Sequence, residues 1–315
     1  RLEVEKKSPE IEIVPEIIDS SDADVEIAMG LFVPISSKMM DALPNVKIIG
    51  VCRAGLENVN LAEATRRGIL VFNVKGRNAE AVSDFAVGLM LAESRNIARA
   101  HLAIKSGQWR KAFSNSDSVP QLNGKTVGIV GFGFIGQLVA RKLSGFNTEI
   151  LVYDPYVERN IVVEPGIRQV SMEELLKNSD FVTVHARLTE GNKGMIGKSE
   201  FALMKKTSYF INTGRAGLVD YQALVVALRE KRIAGAGIDV FPTEPIPEAD
   251  ELICLDNVTL TTHIAGTTKE ALANSPGLLM EDIQRLFEDE KPLFIVNQEV
   301  LKINAFQKWL AQVRE

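Results

Sequence analysis

The sequence predicts an α/β protein in which a doubly wound parallel sheet is inserted into a second, smaller α/β unit. Six strand-like segments alternate with helix-like segments between residues 127 and 263, a pattern typical of parallel sheets. A shorter set of alternating segments precedes them. A tail from residue 267 follows, and because a six-strand sheet has no place for it, we expect the tail to return to the first unit.

Length and composition limit the classes of function. The 315 residues suffice for about two domains. The net charge is −5, and the absence of a basic stripe argues against a nucleic-acid partner. No apolar run approaches the ~18 residues of a membrane span, and residues 1–20 lack the apolar core of a signal peptide. Cys52 and Cys254 lie in apolar surroundings and are predicted to be buried free thiols. Together these features favour a cytoplasmic protein.

The first unit is predicted from short apolar runs separated by helix-like pieces. A long helix-like stretch over 78–106 follows, with apolar residues at helical spacing. It could connect two domains or pack against another subunit. The predicted domains are therefore 1–95 with 267–315, and 96–266. The predicted strands of the first unit lie within 23–33, 46–51 and 69–74, and the predicted helices are 36–43 and 61–67.

The second unit is predicted from six β–α repeats, followed by the helix-like stretch 267–288, a strand-like 293–296 and a last helix near 307–313. Its predicted strands are 127–130, 150–153, 181–185, 209–213, 235–240 and 258–263. The helix-like segments between them include 137–146, 171–177, 198–205 and 221–231.

The glycine-rich turn after the first of these strands predicts a dinucleotide site. Gly131, Gly133 and Gly136 form a G-x-G-x-x-G pattern, in which glycine permits a tight turn, close approach of a pyrophosphate and close packing of helix on strand. The following helix offers its N-terminus to phosphates. Asp154 ends the next strand, 18 residues after Gly136, near the position of a ribose-binding acid. A carboxylate there would repel a 2′-phosphate, which favours NAD over NADP.

Polar groups end five successive strands after the glycine loop, where open sheets bind ligands. They are Asp154, His185, the turn from Asn212 to Arg215, Asp239 and His263. Hydride chemistry on a 2-keto acid needs a cation for the carboxylate, a proton donor such as histidine, and an acid that orients the imidazole. Arg215, His263 and Glu244 supply these three chemical types.

The stretch from about 46 to 297 resembles the D-isomer-specific 2-hydroxyacid dehydrogenases, and in particular the members similar to phosphoglycerate dehydrogenase. The matching segments are RAGLENV from Arg53, GFGFIG from Gly131, INTGRAGLVD from Ile211, AGIDVFPTEP from Ala236 and THIAG from Thr262. The resemblance implies a Rossmann cofactor domain inserted into a discontinuous, flavodoxin-like substrate domain. It also implies a homodimer built on the cofactor domain.

The resemblance further implies roles for individual residues. Arg215 would bind the substrate carboxylate and carbonyl, His263 would be the acid/base, and Glu244 would be its partner. Asp239 would hold the nicotinamide carboxamide, and Asp154 the ribose. The remaining cofactor contacts would come from Gly131, Gly133, Phe134, Ile135, Gly136, His185, Ala186, Thr213, Gly214, Ala265 and Gly266. The substrate-binding set would be Arg53, Ala54, Gly55 and Arg215.

Several features differ from the pattern of the family. Arg187 stands where proline is usual, next to the adenine side of the site. The loop from Cys52 to Gly55 is short, and no basic residue for a phosphate lies near Gly30–Phe32. The sequence therefore does not favour 3-phosphoglycerate, although Arg53 could recruit an anionic group, and a sugar-derived acid is another candidate. We also expect the N-terminus to lack about one strand, and the chain to end before a C-terminal regulatory domain.

Two other functions share this fold. An NAD-sensing corepressor would retain Arg215, Glu244 and His263, so these residues do not distinguish it from an enzyme. A formate dehydrogenase-like enzyme would carry glutamine at position 244, since hydride leaves formate without proton transfer. Glu244 therefore argues against the second alternative.

Overall fold

A computed structural model describes residues 24–157 and 166–314. The chain divides into two compact units, the first formed by the chain up to Arg77 and from Thr268 onward, the second by Asn78–Thr267. The tail from Thr268 is thus part of the first unit. The first boundary lies 18 residues before the predicted one at 95, because the helix that starts at Ala79 packs on the sheet of the second unit.

The first unit contains a three-stranded parallel sheet in the order β1-β2-β3. Successive side chains point to opposite faces of a strand. Ile48 and Phe72 therefore pack with Leu279 of the tail, whereas Ile49 and Val71 face a separate apolar cluster. The predicted strand over 293–296 is reduced to one antiparallel bridge between Ile295 and Phe72. The elements are β1 (Ile27–Gly30), α1 (Ser37–Ala42), β2 (Ile48–Val51), α2 (Leu61–Arg66) and β3 (Leu70–Asn73).

The second unit contains a seven-stranded sheet in which all paired strands are parallel. The prediction of six strands missed β6 (Ile167–Gln169), which has three residues and none fully buried. The other strands are β4 (Thr126–Val130), β5 (Glu149–Tyr153), β7 (Phe181–Val184), β8 (Tyr209–Asn212), β9 (Gly235–Ile238) and β10 (Val258–Leu260).

The helices of the second unit cover both faces of this sheet, which gives one apolar cluster on each side. The strand order is β10-β9-β8-β7-β4-β5-β6. It reverses at β4, which lies between β5 and β7, and ligands of open sheets bind at such a switch point. The helices are α3 (Ala79–Ser94), α4 (Ile97–Lys105), α5 (Phe134–Ser144), α6 (Met172–Asn178), α7 (Lys198–Leu203), α8 (Tyr221–Arg229) and α9 (Glu251–Cys254). The tail forms α10 (Lys269–Phe287) and α11 (Asn304–Arg314) in the first unit.

The predicted single helix over 78–106 is wrong, because the chain breaks between α3 and α4. Asn96 has φ 59°, in the left-handed region, which a short polar residue tolerates better than most. Its side chain is buried and donates to Asn115 Oδ1 at 2.8 Å. This buried hydrogen bond holds Asn96 in the conformation that separates α3 from α4.

The cysteine prediction is half correct. Cys52 is a buried free thiol, whereas Cys254 is an exposed one at the end of α9. Among the described residues, no helix has the length and hydropathy needed to cross a membrane.

Candidate active site

The glycine turn lies between β4 and α5, at the switch point of the large sheet. Gly131 has φ 93°, and a Cβ there would overlap the backbone of Ala186. A Cβ on Gly136 would overlap the Gly131 carbonyl. A Cβ on Gly133, in contrast, would meet nothing within 4 Å. Two glycines therefore allow close packing, and the third leaves open space at the start of α5.

Asp154 holds this turn from the end of β5. Its Oδ2 accepts from the Phe132 amide at 2.8 Å, and its Oδ1 accepts from the Tyr156 amide at 2.9 Å. The carboxylate borders a surface pocket that Val157 and Gln169 also line. The open space at the start of α5, beside a carboxylate that bonds to the same turn, fits a dinucleotide whose pyrophosphate meets the helix N-terminus.

Phe134 and Ile135 form the first turn of α5. The Phe134 side chain is exposed, and Ile135 is partly buried against the core of the unit. Backbone N–H groups in the first turn of a helix have no intrahelical acceptor. These two positions are therefore compatible with contacts to a phosphate.

His185 follows β7, and its ring is neutral rather than a cation. Its Nε2 lies 2.9 Å from Thr183 Oγ1, and its Nδ1 is buried without a partner among the described residues. Burial lowers the pKa of His185 to about 3. Of the histidines at strand ends, His185 is thus unsuited to proton exchange near neutral pH.

Arg215 lies in the turn after β8, whose backbone is held by hydrogen bonds from the Asn212 side chain. Asn212 Oδ1 accepts from the Gly214 amide at 3.0 Å, and Asn212 Nδ2 donates to the Arg215 carbonyl at 3.2 Å. The Arg215 side chain is exposed and donates to the Gly214 carbonyl. Within the described residues it pairs with no carboxylate. Next to it, Thr213 Oγ1 is buried without a partner in the described chain.

His263 and Glu244 form the contact that the sequence predicted. His263 Nδ1 lies 2.8 Å from Glu244 Oε2, and Glu244 Oε1 accepts from the Phe241 amide at 3.1 Å. The His263 side chain is 44% exposed and that of Glu244 13%. Because Glu244 engages Nδ1, the Nε2 atom of the imidazole remains available for a ligand. This is the geometry of an oriented general acid/base.

Asp239 holds the loop that carries His263. It is fully buried, and its Oδ1 accepts from Thr261 Oγ1 at 2.6 Å and from the Ile264 amide at 3.0 Å. Its Oδ2 accepts from the Ala265 amide at 2.9 Å. His263 has φ 56°, and such strain persists where surrounding bonds determine the backbone. The structure therefore shows Asp239 as a support for the loop, while its contact with a carboxamide stays a prediction.

Sequence reasoning missed Thr261, the hydroxyl donor to Asp239. The signal was available, since Thr261 directly follows β10 and lies two residues before His263. At the end of the same loop, a Cβ on Gly266 would overlap the side chain of Asn78. No contact within the described chain joins Arg215 to His263 or Glu244. Their strands, β8 and β10, flank β9, and two strand spacings correspond to roughly 10 Å.

The predicted substrate loop lies in the first unit, after β2. Arg53 Nη2 donates to Glu57 Oε2 at 2.7 Å, and its guanidinium lies 5.4 Å from the centre of the Phe32 ring. The Ala54 carbonyl accepts from Asn73 Nδ2 at 2.7 Å. Gly55 packs so closely on Glu57 that a Cβ would overlap its carboxylate. The loop is therefore held both by Glu57, through Arg53, and by Asn73, through the Ala54 carbonyl.

Comparisons with known proteins agree with these features. The family model described as "D-isomer specific 2-hydroxyacid dehydrogenase, NAD binding domain" matches residues 87–265. The chain is 41% identical to a glyoxylate reductase of Thermofilum pendens, over 87% of this chain and 81% of the relative. It is 36% identical to a D-3-phosphoglycerate dehydrogenase of Methanocaldococcus jannaschii, over 88% of this chain and 52% of the relative.

Solved structures give the same result. A D-lactate dehydrogenase with NAD+ from Lactobacillus jensenii superposes with a TM-score of 0.76 at 27% identity, and the match covers 90% of this chain and 89% of the other. The family match includes the glycine turn, Asp239, Glu244 and His263 within its range. The chain belongs to the D-isomer-specific 2-hydroxyacid dehydrogenases and is an NAD-dependent oxidoreductase of 2-hydroxy and 2-keto acids.

Proposed function

We propose that Arg215, Glu244 and His263 are the residues with which this dehydrogenase interconverts a D-2-hydroxyacid and its 2-keto acid. The 2.8 Å contact between His263 Nδ1 and Glu244 Oε2 is the observation that carries this proposal. It combines a ring open to a ligand with a carboxylate that fixes its tautomer.

The proposed division of work follows from these positions. Bound NAD supplies the hydride acceptor, or the hydride donor when reduced. Arg215 offers a planar fork of donors that matches a carboxylate. During reduction, the proton on His263 Nε2 moves to the oxygen at C2, and Glu244 stabilises the ring while it is protonated. During oxidation, the neutral His263 Nε2 accepts that proton.

We assign cofactor binding to the second unit and substrate selection to the first. The glycine turn, Asp154 and the ends of β7 to β10 support the cofactor part. The braced loop of Arg53, Ala54 and Gly55 supports the substrate part. Since relatives are named glyoxylate reductase and D-3-phosphoglycerate dehydrogenase, we propose a small 2-keto acid as substrate. Two free thiols are typical of a reducing compartment, which supports a cytoplasmic location.

Turnover tests this function directly. The protein is incubated with NADH and a panel that includes glyoxylate, pyruvate and hydroxypyruvate, and the loss of NADH absorbance is followed. We expect one or more of these acids to be reduced. Tight NADH binding without turnover on any acid would instead favour the NAD-sensing alternative. No feature of the described structure specifically supports that alternative.

Replacing Asp154 by asparagine is expected to weaken the preference for NAD. Asparagine keeps an oxygen that can accept from the Phe132 amide, so the glycine turn is retained while the negative charge is lost. A like charge near a 2′-phosphate costs about 1 kcal/mol at solvent-exposed distances of ~4 Å, which corresponds to roughly fivefold. The ratio of kcat/KM for NADPH over NADH should rise by about that factor. An unchanged ratio, equal to that of the control Asp117→Asn at an exposed site, would refute the ribose assignment.

An exposed apolar surface on α4 and the segment after it supports a homodimer. We define this α4 surface by five side chains. They are Ile97, Leu102, Ile104, Trp109 and Val119, with Leu102 67% and Trp109 78% exposed. Isolated exposed apolar residues are ordinary, but five within one segment of the chain favour an interaction surface. We propose that a second copy of the chain covers it.

The double variant Leu102→Glu, Trp109→Ala is expected to shift the protein from dimer to monomer, because it places a charge in the apolar interface and removes its largest side chain. Light scattering coupled to size-exclusion chromatography measures the mass. Leu272→Glu, at another exposed leucine in the first unit, serves as the control and should remain dimeric. A wild-type protein of monomer mass would exclude the dimer.

A further inference from the structure

Gln169 is the last residue of β6 and holds the loop that carries Asp154. Its side-chain Nε2 donates to the Asp154 carbonyl at 3.1 Å and to the Val157 carbonyl at 3.0 Å. Because β6 pairs with β5, Gln169 lies opposite Val152, two residues before Asp154. One side chain on the edge strand of the large sheet therefore bonds to both ends of the segment 154–157.

These two partners determine the orientation of the Gln169 amide. A carbonyl oxygen only accepts hydrogen bonds, so the NH2 group must face Asp154 and Val157. Both donors are then used, while Oε1 is buried and has no hydrogen-bond partner within the described chain. A buried acceptor without a donor lowers stability and calls for an explanation. A methionine here would avoid that loss, but it would leave the loop without its two donors.

The loop that Gln169 holds is itself bonded to the glycine turn. Asp154 Oδ1 accepts from the Tyr156 amide within the loop, and Asp154 Oδ2 accepts from the Phe132 amide in the turn. Among the described residues, no side chain other than Gln169 donates to the backbone of segment 154–157. A series of hydrogen bonds thus runs from Gln169 through Asp154 to Phe132, entirely within the second unit.

We propose that Gln169 is a positioning residue for NAD. By holding the Asp154 and Val157 carbonyls, it keeps the Asp154 carboxylate in the place where it meets the ribose of the adenosine half. This inference rests on the proposed function, in which Asp154 accepts from the ribose. The effect of Gln169 therefore falls on cofactor affinity and on the preference for NAD over NADP, and not on the chemical step. Gln169 is not among the site residues that the sequence predicts.

The first test compares Gln169→Met with Gln121→Met, at an exposed glutamine of the same unit. Methionine keeps an unbranched side chain of similar length and removes both donors. In Gln169→Met, the Kd and KM for NADH should rise about 3- to 10-fold, the factor that corresponds to one hydrogen bond. The ratio of kcat/KM for NADPH over NADH should rise, while kcat and the KM for the 2-keto acid should hardly change. Values equal in the two variants would overturn the inference.

A double-mutant cycle with Asp154→Ala separates positioning from a direct contact. If Gln169 acts through Asp154, Gln169→Met should not weaken NADH binding further once the carboxylate is absent. The same loss of affinity in the Asp154→Ala background would overturn the inference, because Gln169 would then meet the cofactor itself. A Kd for NADH that is unchanged in Asp154→Ala alone would instead refute the ribose assignment of the proposed function.

Amide hydrogen exchange tests the positioning without cofactor or substrate, so it decides even if no 2-keto acid is reduced. The amides of Phe132 and Tyr156 both donate to the Asp154 side chain, and their exchange rates report whether that side chain is held. Gln169 is partly exposed on an edge strand, so Gln169→Met should fold. Faster exchange at both amides than in Gln121→Met would support the inference, and equal rates in the two variants would overturn it.

Discussion

Replacing His263 by alanine is expected to lower kcat by about 10²- to 10⁴-fold, the usual loss when one catalytic acid/base is removed. The side chain is 44% exposed, so its removal should leave the stability of the fold almost unchanged. NADH binding should also be retained, because the glycine turn and Asp154 lie on other strands. Stopped-flow or steady-state loss of NADH absorbance measures the rate, and fluorescence titration measures NADH affinity.

Glu244→Gln separates the orienting role from the proton transfer. Glutamine can still accept from the Phe241 amide and approach His263 Nδ1, but it carries no charge to stabilise a protonated ring. A loss of kcat smaller than that of His263→Ala is expected, with KM changed little. Glu248→Gln, at an exposed position of the same segment, is the matched control. Wild-type kcat in His263→Ala, or a loss in Glu248→Gln equal to that in Glu244→Gln, would contradict the assignment.

Replacing Arg99 by methionine is expected to lower the free energy of unfolding by about 3–5 kcal/mol, the cost of leaving one member of a buried ion pair alone. Glu93 is fully buried, and Arg99 Nη1 donates to both of its oxygens at 3.0 and 2.8 Å. Thr259 Oγ1 adds a bond of 2.7 Å to the same carboxylate. Arg95→Met, at an exposed arginine nearby, should change the stability within about 0.5 kcal/mol.

The deficit of Arg99→Met should depend on pH in a defined direction. Burial raises the pKa of Glu93, and the bonds from Arg99 and Thr259 oppose that effect. Without Arg99, the pKa in the folded state lies further above the unfolded value of about 4.3. Stability is then greatest below the unfolded pKa and falls as pH rises towards the folded pKa. Urea unfolding should therefore show a smaller deficit at pH 5 than at pH 8, and a deficit that grows on acidification would contradict this interpretation.

The sequence predicted the large sheet well because its strands are strongly apolar and alternate with helices. Five of the six predicted strands were followed by polar groups, and the structure joins Glu244 to His263 and Asp239 to the same loop. Such pairs are predictable since parallel strands present their carboxyl ends at one edge. Five segments together, of which the one from Gly131 is one, also identified the family that the comparisons show.

What the sequence could not predict depends on long-range packing. The short β6 carries no apolar run, so only its pairing with β5 makes it a strand. The break at Asn96 depends on a bond to Asn115, 19 residues away. Cys254 is the last residue of the short helix α9, in which Leu252 and not Cys254 is the buried residue. The hydrogen bond from Arg77 to Ser275 joins residues 198 positions apart, and no local sequence pattern predicts it.

Transfer of deuterium from NADH labelled at C4 on both faces is the most direct test of the reaction. Of the acids whose product has a stereocentre at C2, such as pyruvate and hydroxypyruvate, the one that turns over fastest is reduced, and the product is analysed by mass spectrometry and chiral chromatography. We predict a 2-hydroxyacid of D configuration with one deuterium at C2, formed by the wild type and at least about 100-fold more slowly by His263→Ala. Tight binding of labelled NADH with no deuterium in any product would contradict hydride transfer by this protein.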